Sequence, residues 1–141
     1  MKVDRLFLDT NVLISGLLFP GNEALLLELA DRGLVKLVIS QEVIGEAGNA
    51  FQEKWPARLH VLQTFLSDVE YELAPMPTRA DVEASAQLVR DPKDAPILAG
   101  IILAKPDFAI TGDKDLLTDE VRAIAPVCMC AEYLEKLFAE G

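Results

Sequence analysis

VDRLFLDTNVLISG, residues Val3 to Gly16, sets an acid at the end of a buried strand. The run Leu6, Phe7, Leu8 has the continuous apolar character of a strand covered on both faces. It stops at Asp9, which is followed by the polar pair Thr10 and Asn11. From Val12 to Phe19 the apolar residues return at helical spacing. A carboxylate at the carboxyl end of a core strand is where ligands bind in open α/β sheets.

Working outward, the spacing predicts a first helix from Thr10 or Asn11 to Phe19, stopped by Pro20-Gly21. Asn22 is placed to cap a second helix that carries Leu25, Leu26 and Leu29 on one face and ends near Gly33. Leu34–Ile39 is the second strand, Ser40 a cap, and Gln41 to about Trp55 a third helix with Val43, Ile44, Ala47 and Phe51 inward. Gly45 and Gly48 lie within it, each costing on the order of 1 kcal/mol relative to alanine; close backbone packing and simple tolerance explain them equally well. Pro56 opens a fourth helix over 57–67, Val69–Leu73 is a strand, and Pro75–Thr78 is a turn. Arg79–Arg90 has helical spacing, with Val82, Ala86 and Val89 inward. Ile97–Lys105 is apolar almost all round, as a buried helix is. The strand Phe108–Ile110 runs into Thr111-Gly112-Asp113-Lys114-Asp115, and either aspartate is placed to cap a short helix at Leu116. Val127–Met129 and a helix from Ala131 to Phe138 close the chain. Strands alternating with helices imply a three-layer α/β/α architecture with a mainly parallel sheet of four to five strands, residues 1–141 forming a single domain.

Composition narrows the function. The chain is 51% hydrophobic, which suits a packed core rather than disorder. Its net charge of −10, from 13 basic and 23 acidic residues, argues against a broad basic face for nucleic acid while leaving room for a local one. Cys128 and Cys130, alternate residues on one face of any strand, are too few for a zinc site and read as structural thiols of a reducing cytoplasm. Asp9, Asn11 and Ser15 interrupt the N-terminal apolar stretch, so neither a signal peptide nor a membrane span is expected; a cytoplasmic protein is.

Two strand-then-acid junctions stand out, at Asp9 and at Asp113 with Asp115. If their strands are neighbours, both open into one crevice. Asp94, in the first turn of the buried helix, and Glu46, on the third helix, are the best candidates to join them. Asp91 competes with Asp94, and Glu42, one turn earlier, competes with Glu46. Converging carboxylates suit Mg²⁺ or Mn²⁺, and such a site can activate water against a phosphodiester without a nucleophilic side chain.

The segments LFLDTNVLIS, SQEVIGEA, DPKDAPILA and ITGDKDLL resemble, in this order, the signatures of PIN-domain ribonucleases, most of all the bacterial toxins of toxin–antitoxin pairs. The resemblance implies that Asp9, Glu46, Asp94 and Asp113 are the catalytic, metal-holding acids, with Asp115 as a further metal-site acid. Asn11 and Thr111 match polar positions that orient the acids or the waters on the metal. It further implies Mg²⁺ or Mn²⁺ as cofactor, RNA as substrate, a homodimer, and a cognate antitoxin protein seated in the cleft. Around Glu46 the family's usual apolar or basic residues give way to Gly45, Ala47 and Gly48, and Cys128-Met129-Cys130 stands where a proline-led motif is common.

Lys93 and Lys114, beside the proposed metal acids, are the best phosphate contacts, ahead of Arg79, Arg90 and Lys105. Trp55 and His60 read as packing and surface residues. Two other functions compete with the metal-dependent endoribonuclease. One is a catalytically inactive module of the same fold that binds a protein or RNA partner. The other is a phosphoryl-transfer enzyme with Asp9 as nucleophile, which usually needs a second aspartate where Asn11 stands.

Overall fold

The structure, a computed structural model, describes residues 2–140. Five strands form one parallel sheet: β1 (Arg5–Leu8), β2 (Lys36–Ile39), β3 (Tyr71–Leu73), β4 (Phe108–Ile110) and β5 (Val127–Cys128). Their order is β3-β2-β1-β4-β5, with Leu6 opposite Leu37 on one side and Phe108 on the other. Among the described residues, eight α-helices complete the three-layer α/β/α architecture: α1 (Thr10–Leu18), α2 (Asn22–Asp31), α3 (Gln41–Lys54), α4 (Leu59–Asp68), α5 (Arg79–Ala86), α6 (Ala95–Ala104), α7 (Asp119–Arg122) and α8 (Cys130–Glu140).

The core follows from the apolar runs. Leu6, Phe7, Leu8, Leu37, Val38, Ile39 and Ile110 are fully buried, and α6 buries seven of its ten residues. Chain direction does the rest. From β1 the chain adds β2 and β3 on one side, then crosses back to add β4 and β5 on the other. The reversal puts a crevice between the carboxyl ends of β1 and β4. The Asp9 amide donates to the Ile110 carbonyl (3.0 Å), so the two strand-then-acid junctions are laced together where they meet.

Several boundaries differ from expectation for local reasons. Gly21, at φ 144°, takes the cap position of α2, so Asn22 is its first helical residue and makes no cap bond. The fourth helix opens with a 3₁₀ turn, Pro56–Arg58, before α4 begins. The helix expected over Arg79–Arg90 ends at Ala86, because Gln87 and Leu88 bond to carbonyls three residues back and Asp91 is extended ahead of Pro92. No helix starts at Leu116; α7 begins at Asp119 and is capped by Thr118, whose hydroxyl accepts from the Val121 amide (3.2 Å). Ser40 caps α3 as expected, accepting from the Val43 amide (3.1 Å). A Cβ on Gly45 or Gly48 would meet nothing within 4 Å, so tolerance and not close packing explains both. Cys128 ends β5 while Cys130 opens α8, so the pair does not share a strand face; burial pushes their thiols up to about 11 and about 12. No single helix among the described residues is long and apolar enough to cross a membrane.

Candidate active site

Asp9 leaves β1 as the N-cap of α1. Its side chain is buried and both oxygens are occupied. Oδ1 accepts from the Thr10 amide (2.7 Å), and Oδ2 accepts from the Thr111 hydroxyl (2.6 Å). Burial raises its pKa above the ordinary carboxylate range, the two hydrogen bonds pull it down, and the charges of Asp113 and Glu46 push it up again.

Thr111 continues from β4. Besides donating to Asp9 it accepts from the Asp113 amide (3.0 Å), and Asp113 Oδ1 accepts from the Asp115 amide (2.9 Å). The loop is thereby wound so that Asp113 faces the crevice. Glu46 comes from α3, where its carboxylate accepts the Thr10 hydroxyl proton (2.6 Å). Thr10, absent from the candidates read off the sequence, therefore ties Asp9 and Glu46 together, one through its amide and the other through its hydroxyl. Glu42 lies elsewhere, beside Pro75, Met76 and Pro77.

Asp94 ends the 3₁₀ turn Pro92–Asp94 and stands at the N-cap of α6. Its Oδ2 is buried without a hydrogen-bond partner among the described residues. Its pKa is pushed up to about 7, by burial first and then by Asp113, with Asp91 and Asp115 adding. Oxygens of Asp91, Asp94 and Asp115 all lie within 4.8 Å of one another, a spacing that could hold one cation. Asp91, read in sequence as a rival to Asp94, thus stands with it. An orphaned carboxylate oxygen and like charges held together both cost free energy until a hard cation neutralises them, so the donor set fits Mg²⁺ or Mn²⁺.

Two open clefts flank these acids. One, of about 410 Å³, is lined by Asp9, Glu46, Asp94, Asn49, Lys54 and Lys93 among others. The other, of about 760 Å³, is lined by Ser15, Asn22, Asp91, Lys114, Asp115 and Met129 among others. Asn11 and Asp113 line both, so they form the ridge between them. Asn49, Glu53 and Lys54 were missed in the sequence. Their signal is helical spacing from Glu46, at three, seven and eight residues on. Trp55 packs edge-on against Phe51, with ring centroids 5.9 Å apart, and His60 is exposed, as expected of packing and surface residues.

A doubly wound parallel sheet that gathers acids from four separate segments at its switch point defines an α/β domain with an acidic crevice. Residues 5–115 match the family model of the PIN domain, and the chain belongs to the PIN-domain family. Its fold is similar to that of PAE2754 from Pyrobaculum aerophilum, at 20% identity and a TM-score of 0.68, covering 97% of this chain and 96% of that one. It is also similar to VapBC2 from Rickettsia felis, bound to a DNA fragment from the promoter, at 17% identity and a TM-score of 0.60, over 89% of this chain and 96% of that one. FitAcB from Neisseria gonorrhoeae gives 19% identity and a TM-score of 0.58, over 89% and 98%. Comparison with curated proteins gives no match.

Proposed function

We propose that this chain is a divalent-metal-dependent endoribonuclease, the toxin of a toxin–antitoxin pair, and that residues 1–141 form one nuclease domain. The observation that carries the reading is the partnerless, buried Oδ2 of Asp94 in a crevice where Asp9, Asp113 and Glu46 also converge. Asp94, Asp113, Asp9 and Glu46 hold the cofactor, with Asp115 and Asp91 completing the set. Mg²⁺ or Mn²⁺ bound there supplies Lewis acidity at a phosphodiester and lowers the pKa of water. Thr111 and Thr10 orient the acids, Asn11 stands on the ridge toward the substrate, and Lys93 and Lys114 take phosphates. A raised Asp94 pKa means that its carboxyl gives up a proton when a cation enters. The motif resemblance, and the fold held in common with VapBC2 and FitAcB, support a toxin that forms a homodimer in the cytoplasm and is restrained by an antitoxin protein.

The test is RNA cleavage in Mg²⁺ or Mn²⁺ by Asp9→Asn and Asp113→Asn. Each variant is expected to lose more than the ~10–100-fold that follows loss of a mere partner of a metal ligand. Unchanged rates in both would overturn the proposal.

A further inference from the structure

Six basic residues, Lys2, Arg5, Arg32, Arg79, Arg122 and Lys136, are held in ion pairs. Of the 13 basic residues, the remaining seven have no acid within ion-pair distance among the described residues. Three of those, Lys54, Lys93 and Lys114, line the two clefts that flank the acids. Lys54 owes its place to helix geometry. Glu46, Ala50 and Lys54 recur every fourth residue, and with Asn49 and Glu53 they make one wall of the smaller cleft. Lys54 therefore stands about 12 Å beyond Glu46 along the axis of α3. Its ammonium rests 5.9 Å over the ring of Trp55, which narrows its range of positions. Lys93 shares this cleft, while Lys114 lies across the ridge in the other.

The surrounding charge makes those three positions count. A chain of net charge −10 repels a polyanion everywhere except where a free cation meets a phosphate. The number of cations beside the acids therefore bounds the number of phosphates that can be neutralised. A duplex, held through its backbones, needs a wider basic face than three side chains supply.

We propose that Lys54, Lys93 and Lys114 form a three-point phosphate track that draws a short single-stranded segment of RNA across the acidic ridge. Lys54 and Lys93 hold the strand on one side of the reacting phosphodiester, and Lys114 holds it on the other. The inference rests on the nuclease reading of the same site, and Lys54 is the residue it adds.

The experiment measures binding of an end-labelled, unstructured RNA by fluorescence anisotropy over a salt series with Ca²⁺ present, and cleavage kinetics with Mn²⁺. Single-strand binding loses affinity with a log–log slope of about −0.7 per phosphate contact, so three contacts give about −2. Wild-type affinity should fall roughly twenty-fold over a fourfold rise in salt, and that of Lys54→Gln about seven-fold. KM should rise in Lys54→Gln while kcat and calorimetric Mn²⁺ affinity stay unchanged. Lys36→Gln, whose unpaired lysine starts β2 at the far end of the sheet, should match wild type.

A Lys54→Gln variant indistinguishable from Lys36→Gln in slope and KM overturns the track, even if the wild type cleaves RNA. So does duplex RNA bound as tightly as the single strand. Binding with the expected slopes but no cleavage in Mn²⁺ overturns the nuclease reading and leaves the track standing. No binding at all overturns both.

Discussion

Two threonine hydroxyls hold the acids in place, and they hold differently exposed ones. Thr111 donates to the buried Asp9, while Thr10 donates to Glu46, which is exposed. Removing a donor from a buried carboxylate leaves it unsatisfied, at a cost of about 1–3 kcal/mol; an exposed carboxylate turns to water instead. Thr111→Val should therefore lower thermal stability. Thr10→Val should leave it nearly intact yet weaken Mn²⁺ binding by roughly ten-fold, at the low end of what partners of metal ligands contribute. Thr10→Ser should restore it. Calorimetric titration beside melting curves checks this, and equal metal affinity in Thr10→Val and wild type would refute it. Asp9 and Asp113 were legible in the sequence because each ends an apolar strand. Thr10 was not, since a hydroxyl bridging β1 to α3 depends on where α3 lies, which no local pattern reports.

Strand cores, the buried α6 and the Ser40 cap were legible, because burial and capping leave their mark in consecutive residues. The misplaced start of α7 and the overlong α5 were not, because backbone bonds at 87–88 and 116–117, formed in the folded loop, decide them. Glycines in helices divide in the same way. A Cβ on Gly16 would come within 2.5 Å of Leu27 Cδ1 and 3.0 Å of the Glu23 carbonyl, so this glycine lets α1 and α2 pack where the chain bends by 89°. Gly45 faces open space. Gly16→Ala gains about 1 kcal/mol of helix propensity but pays overpacking of about 1–3 kcal/mol, a net loss. Gly45→Ala only gains, by about 0.5–1 kcal/mol. Melting temperatures should move in opposite directions by a few degrees, and a shift of the same sign in both would show that α1 and α2 can separate at no cost.

Over the whole molecule, acid repulsion and fold stability meet in the crevice at the sheet's switch point. Asp94 holds its proton to about pH 7 in the folded chain but, like any free aspartate, only to about pH 4 when unfolded. Between those values the folded state binds more protons than the unfolded state, so this contribution to stability is full below about pH 4 and is lost as pH rises through about 7. Burial raises the pKa of Asp9 in the same sense. Asp107, Glu72 and Asp81 are shifted downward, by backbone or arginine partners, and their stabilisation is lost only as the solution is acidified below the ordinary carboxylate range. The metal-free protein should therefore melt at a lower temperature at pH 7.5 than at pH 5.5. Mn²⁺ competes with those protons, so the rise in melting temperature that it produces should be larger at pH 7.5 than at pH 5.5. Asp94→Asn should flatten the metal-free pH dependence and shrink the Mn²⁺ effect together. If the variant kept the wild-type slope between pH 5.5 and 7.5, the proton would belong elsewhere, and with it the charge strain that a cation at this crevice would relieve.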